Sequence, residues 1–146
     1  MARMPADPPV LTPRLRAFLG RPLPVSVATV DGEGTPYQAV AWYAVTDDGR
    51  ILLNSRTPRR WCTNLLNDPR VALSIIDPED QYRWLGLSGT VDEVVTDVDR
   101  SRDDIVALAH RYYPQGPTAS SVAAFRAQPR VTFLVRITNI HDHLED

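Results

Sequence analysis

The chain has a single cysteine, Cys62, so no disulfide can form within it and stability has to come from packing. It also lacks a basic excess: the formal net charge is -2, whereas a dedicated nucleic-acid binder carries a surplus of positive charge. No apolar run approaches the roughly 18–20 residues needed to span a bilayer. The first nine residues are rich in proline and have no apolar stretch of the signal-peptide kind. Missing too are a G-x-S-x-G elbow, a P-loop and a G-x-G-x-x-G turn. These absences remove nucleic acid and membrane as expected partners and make a reducing cytoplasm the expected location.

What is present suits one domain. The 146 residues are 43% hydrophobic and 23% charged, enough apolar material for an independent core at a length typical of about one domain. Residues 1–10 read as a flexible lead-in and residues 11–146 as the folded unit.

Local patterns supply the elements. Thr12-Pro13 is a helix start, with threonine as N-cap and proline where its missing N–H costs nothing. Leu15, Phe18 and Leu19 share a face before Gly20 and Pro22 end the helix. Residues 24–30 alternate apolar and small polar side chains, the period of a strand with one buried face. Turns at 31–34 and 47–49 then bound a strand over 36–45 and another over 50–55, giving a three-strand meander.

Thr57-Pro58 repeats the cap signal and predicts a helix to about Leu66. Residues 71–76 are nearly all apolar, as in a strand covered on both faces. Residues 82–95 read as one long or bent strand, with Gly86 and Gly89 at bulges or close approaches. A helical period covers 97–113, a short helix 120–127, and a last strand 130–140. Six antiparallel strands in so small a unit favour closure into a barrel, which removes exposed edges.

The segment from Asn54 to Leu65 carries the chemistry. A strand runs directly into a helix whose first turn holds Arg59 and Arg60, although the helix dipole favours acidic residues there. Charge and spacing leave two readings open: both guanidiniums point to water, or they clamp an anion with the free amides of the first turn. Cys62 sits beside these arginines, which could lower its pKa, but a buried inert thiol is the simpler state. His141-Asp142-His143 spaces two imidazoles suitably for metal. They fall in what reads as a polar C-terminal tail without a third ligand, so no metal site is expected.

The run L-L-N-S-R-T-P-R-R-W-C-T-N-L-L-N-D-P-R-V-A-L-S-I-I-D over residues 52–77 resembles the signature of the pyridoxamine 5'-phosphate oxidase-like split-barrel proteins. V-S-V-A-T-V-D-G-E-G-T-P before it and G-L-S-G-T-V after it agree, and the likeness extends over residues 12–140. Among these proteins the chain is most similar to those using the deazaflavin coenzyme F420. The resemblance implies a six-stranded antiparallel split β-barrel, mainly β with short flanking helices. It further implies a homodimer whose two cofactor grooves lie at the subunit interface.

Carried over by residue, Ser55, Thr57, Arg59 and Arg60 would meet the cofactor's phosphate or phospholactyl tail, and Asn54, Trp61 and Asn64 belong to the same signature. Gln38, Val40 and Trp42 would lie along the ring, with Tyr82 and Trp84 reaching into the neighbouring subunit's groove. Taken alone, Trp42, Tyr43 and Trp84 read as packing. One departure is Trp61, where members commonly carry a phosphate-binding lysine, so an arginine has to replace it.

The implied activity is an F420-dependent oxidoreductase passing hydride to a small conjugated substrate, with the proton from solvent or Tyr43. FMN is the alternative cofactor, and a non-catalytic carrier of a cofactor or tetrapyrrole the alternative role. Oxidation of pyridoxamine phosphate itself is not expected, because the C-terminal substrate-binding extension does not follow Ile140.

Overall fold

Among the described residues every strand pairing is antiparallel, and seven strands form one sheet in the order β2-β1-β5-β6-β7-β4-β3. The computed structural model describes residue 7 and residues 9–144; most of the expected lead-in over 1–10 lies outside them. The strands are β1 (Val25–Val30), β2 (Pro36–Ala41), β3 (Tyr43–Val45), β4 (Ile51–Arg56), β5 (Arg70–Ile76), β6 (Trp84–Val95) and β7 (Arg130–His143). The helices are α1 (Pro13–Leu19), α2 (Arg60–Asn67), α3 (Val98–Tyr112) and α4 (Ala119–Arg126).

β2 and β3 stand at opposite ends of this order, yet only Trp42 separates them in the chain. The sheet therefore curls until its two edges meet at that residue, which makes a split barrel. The strand expected over 36–45 is thus two strands, and the count is seven rather than six. The reason is a change of partner: residues up to Ala41 pair with β1, residues from Tyr43 pair with β4, and Trp42 belongs to neither ladder. The expected meander becomes two hairpins sharing one bent stretch.

Inward-facing residues fill the barrel. Val25, Val27, Tyr43, Leu53, Leu85, Phe133 and Val135 are almost wholly buried, and Trp61, Cys62 and Leu65 of α2 add to the same core. Thr12 caps α1 as its residue type predicts, its hydroxyl accepting from the Leu15 N–H at 3.3 Å. Asp97 and Thr118 cap α3 and α4 in the same way.

Other boundaries move. β4 continues to Arg56 because it is paired with Arg130, so Thr57 and Pro58, joined by a cis peptide, form a turn and Arg59 takes the N-cap of α2. Two aspartate-centred turns over 77–82 delay β6 to Trp84. β7 runs on to His143, so His141-Asp142-His143 is not a tail but pairs with Gly86, Leu85 and Trp84. Gly89 marks a register shift, where a Cβ would lie 2.5 Å from the Arg136 carbonyl oxygen.

The corner at Trp42 is held from α3. The Tyr43 N–H donates to the Tyr112 hydroxyl at 3.2 Å, and that hydroxyl donates to the Leu23 carbonyl at 2.6 Å. The Arg111 guanidinium donates to the carbonyls of Leu19, Gly20, Arg21 and Tyr43 at 2.9 to 3.1 Å. One cation thus serves the end of α1 and the edge of β3 together.

Replacing Arg111 by methionine keeps much of the aliphatic contact and leaves these carbonyls without their charged donor. Urea unfolding should show a loss of about 3 kcal/mol, the scale of charge-assisted hydrogen bonds; a loss under about 0.5 kcal/mol would remove Arg111 from this role.

Candidate binding cleft

A cleft of about 310 Å³ opens beside the Trp42 corner. Its walls come from Pro24, the 40–42 corner, the end of β4, the start of α2, and the α3–α4 segment. One side is apolar: Trp42, Ile105, Leu108, Tyr113 and Phe125. The other carries Asn54, Arg59 and Arg130. Among the described residues neither histidine nor a carboxylate lines it.

Strand alternation explains the polar side. Ile51, Leu53 and Ser55 of β4 face the core, which turns Asn54 outward beneath α3. The Asn54 amide donates to the Ser101 carbonyl at 2.8 Å and to the Thr132 hydroxyl at 3.0 Å. The Thr132 hydroxyl in turn donates to the Asp104 carboxylate at 2.7 Å. The Asn54 side-chain oxygen stays on the cleft side and accepts from Arg130 at 3.4 Å.

Arg130 opens β7 opposite Arg56 and is only 5% exposed. Its Nε donates to the Gln128 side-chain oxygen at 2.9 Å, and its cationic carbon lies 5.2 Å from the Phe125 ring centre. Burial, reinforced by Arg59 and Arg56, pushes its pKa down to about 10. It is still a cation at neutral pH.

The expected site residues divide between locations. Val40, Trp42, Asn54, Arg59 and Trp61 all line the cleft. Trp42 stacks on Tyr112, centres 5.1 Å apart at 14°, and meets Tyr113 edge-on. Trp61 is 4% exposed and packs against Phe133. Gln38 lies on the exposed face of β2 next to Val40. Thr57 is half-buried in the turn before α2. Arg60 stands over the Tyr37 ring at 5.2 Å, outside the cleft lining.

Ser55 and Asn64 face the core. The Asn64 amide donates to the Thr29 hydroxyl at 3.0 Å. Ser55 sits near the Cys62 thiol, whose pKa burial pushes up, so the arginines beside it do not make it a ready nucleophile. Tyr82 is exposed, and Trp84 stacks on His141 at 4.8 Å on the outer face of the sheet. Among the described residues no cluster of three or more metal-ligating side chains occurs.

Arg130, Tyr113 and Phe125 escape the sequence reading. The adjacent tyrosines ending an amphipathic helix were a usable signal for Tyr113. No local motif points to Arg130, because the β4–β7 register alone brings it beside Asn54. Tyr43 is corrected outright as a proton donor. It is fully buried, its hydroxyl donates to the Leu19 and Arg21 carbonyls, and burial pushes its pKa up to about 12.

The sequence matches the pyridoxamine 5'-phosphate oxidase family over residues 11–136. An F420 reductase of solved structure is 33% identical with a TM-score of 0.74, the match covering 86% of this chain and 94% of that one. The conserved hypothetical protein Rv2991 from Mycobacterium tuberculosis is 22% identical (TM-score 0.72, 97% and 91% covered). The heme storage protein HutZ from Vibrio cholerae is 18% identical (TM-score 0.68, 90% and 94% covered). At these lower identities the last two show the fold alone. No curated protein matches.

The Tyr43 phenol gives a pH signature. Its folded pKa of about 12 lies above the ordinary value of 10, so the unfolded chain loses that proton first. The contribution is complete below about pH 10 and declines as pH rises toward 12. Unfolding midpoints measured from pH 9 to 12 should fall, and Tyr43→Phe should flatten that fall; an equal slope in the variant would show that Tyr43 does not cause it.

Proposed function

The chain belongs to the pyridoxamine 5'-phosphate oxidase family of split β-barrels, and from that premise we propose that it is an F420-dependent oxidoreductase acting on a small conjugated substrate. The observation that carries this reading is the division of the cleft into an apolar, aromatic side and a cationic end. A planar ring with an anionic tail needs both. The match to an F420 reductase at 33% identity favours the deazaflavin over FMN.

Val40 and Trp42 border the ring position, with Gln38 beyond them on β2. Asn54 and Arg59 receive the tail, with Thr57 and Arg60 at the start of α2 and Trp61 closing the floor. Ser55 and Asn64 act from behind, by fixing β4 and α2. When bound, the cofactor supplies hydride transfer. The protein binds it, orients it and shields one face from water. With neither a carboxylic acid nor an imidazole among the described lining side chains and Tyr43 committed to backbone carbonyls, we assign the proton to solvent.

The same reading includes a homodimer. The outer face of β2, β1, β5 and β6 carries the small residues Ala28, Ala72, Ser74, Gly86 and Ser88 in register. The apolar Val40 and Ile76 stand exposed on it, with Tyr82 beside it. A second copy laid on this face would bring Tyr82 and Trp84 of the neighbouring protomer toward the cleft. A cytoplasmic location belongs to the proposal as well. Among the described residues no helix is long and apolar enough to cross a membrane.

Fluorescence titration with F420 and FMN, followed by turnover of quinones, enones and nitroaromatics, tests the assignment. Saturable F420 binding with turnover is expected, together with a dimer in sedimentation and about tenfold weaker binding in Arg59→Gln. Tighter FMN binding would move the protein to the FMN-dependent branch, and binding without turnover to a carrier role. Binding of neither cofactor would overturn the proposal.

A further inference from the structure

A helix as short as α4 does not hold together alone in water, so its stability depends on what it rests against. α4 has 8 residues and buries none of their side chains; Val122 and Phe125 are half-buried. Two side-chain contacts hold its C-terminal half: the exposed Arg126–Asp103 ion pair at 2.9 Å, and the Phe125 ring 5.2 Å from the Arg130 guanidinium carbon. An exposed ion pair contributes little. The second contact is opposed by its own surroundings. Covering Arg130 keeps a guanidinium from water with neutral acceptors, the side-chain oxygens of Gln128 and Asn54, and burying a cation in this way is costly.

The two ends of α4 are fastened differently. Beyond its C-terminus, Arg102 Nε donates to the Gln128 carbonyl at 2.9 Å, and the Thr57 N–H donates to the Pro129 carbonyl at 3.3 Å. Residues 128–129 are thereby tied to α3 and to the turn before α2. Before its N-terminus the chain passes through Pro114-Gln115-Gly116-Pro117, where Gly116 takes a φ of +75° that favours glycine. A second cavity of about 350 Å³ lies there. Among the described residues its walls are 113–118 and Ser121, all from this loop and the first turns of α4, so the barrel gives that end no backing.

We infer that α4 is a lid on the cleft, pivoting at Gln128-Pro129, latched by Arg126 on Asp103, with Phe125 as its inward face. Opening lifts Phe125 off Arg130 and removes one aromatic side of the cleft. It also melts the helix, because eight residues away from the body lose their mutual support. Weakly packed segments of this kind open far more often than the core does. The lid rests on the cleft being where the ligand binds, and it deepens that reading by naming what controls entry and release: exchange of ligand passes through the open state.

Hydrogen exchange of the full chain without cofactor tests the lid directly. The amides of residues 122–128 should exchange together, about 100-fold faster than those of Ile105, Leu108 and Ala109 in α3. Arg126→Gln should speed the α4 amides a further two- to fivefold or so, the factor of an exposed ion pair, and leave the α3 amides unchanged. Protection of α4 equal to that of α3 would overturn the lid. An equal acceleration of both helices by Arg126→Gln would overturn the latch, since the variant would then act on global stability.

Stopped-flow binding of F420 or FMN tests the gate. Arg126→Gln should raise the association and dissociation rates by about the same two- to fivefold, and leave the dissociation constant within about twofold of wild type. Unchanged rates in that variant would overturn the gate. The two assignments fail separately. Fast exchange confined to α4 without binding of either cofactor keeps the lid and ends the oxidoreductase reading. Cofactor binding and turnover with α4 as protected as α3 does the reverse.

Discussion

Arg111 and Tyr112 supply, from one turn of α3, the hydrogen bonds that the edge strand β3 would otherwise have to find in water. An open sheet edge presents unpaired N–H and C=O groups and invites pairing with another chain. Here the Tyr43 N–H meets a phenol and the Tyr43 carbonyl a guanidinium. The same guanidinium takes up the carbonyls ending α1. The cleft follows from this arrangement. Fixing Tyr112 against Trp42 sets the C-terminal end of α3, and the adjacent Tyr113, Ile105 and Leu108 then face the opening.

Much of the fold was legible because its elements obey local rules. Thr12, Asp97 and Thr118 are capping residues and act as caps. Period two marked the strands, and glycine marked the bulge at Gly89. The break at Trp42 was not legible for a definite reason. Tyr37, Ala39, Ala41, Tyr43 and Val45 keep pointing inward through it, so alternation continues while the hydrogen-bond partner changes. Thr57-Pro58 misled because it copies Thr12-Pro13, and only the pairing of Arg56 with Arg130 extends the strand over it. His141 and His143 looked like a tail because the outer face of this sheet tolerates polar residues.

The cleft shows the same division. Asn54, Arg59 and Trp61 lie in one continuous signature, and Val40 and Trp42 on the stretch between it and the run before it, so a resemblance read along the chain reaches all five. Arg130 and Phe125 come from a segment about 70 residues later, carried in by β7 and α4. α4 itself buries no side chain. It is tied down by the Arg126–Asp103 ion pair at 2.9 Å, by Arg102 on the Gln128 carbonyl, and by Phe125 on Arg130. Exposed ion pairs contribute little, so the Phe125–Arg130 contact joins the fit of α4 to the chemistry of the cleft.

The position of β7 between β6 and β4 has a consequence for how the chain comes off the ribosome. Until residues 130–143 have emerged, β4 and β3 make a two-stranded ribbon with no neighbour, and β2, β1, β5 and β6 a separate four-stranded sheet. The last of the seven described strands in chain order is the one that fuses them. The sheet therefore cannot assemble progressively from β1, and the edges of β4 and β6 wait for β7, the latest of these strands to emerge.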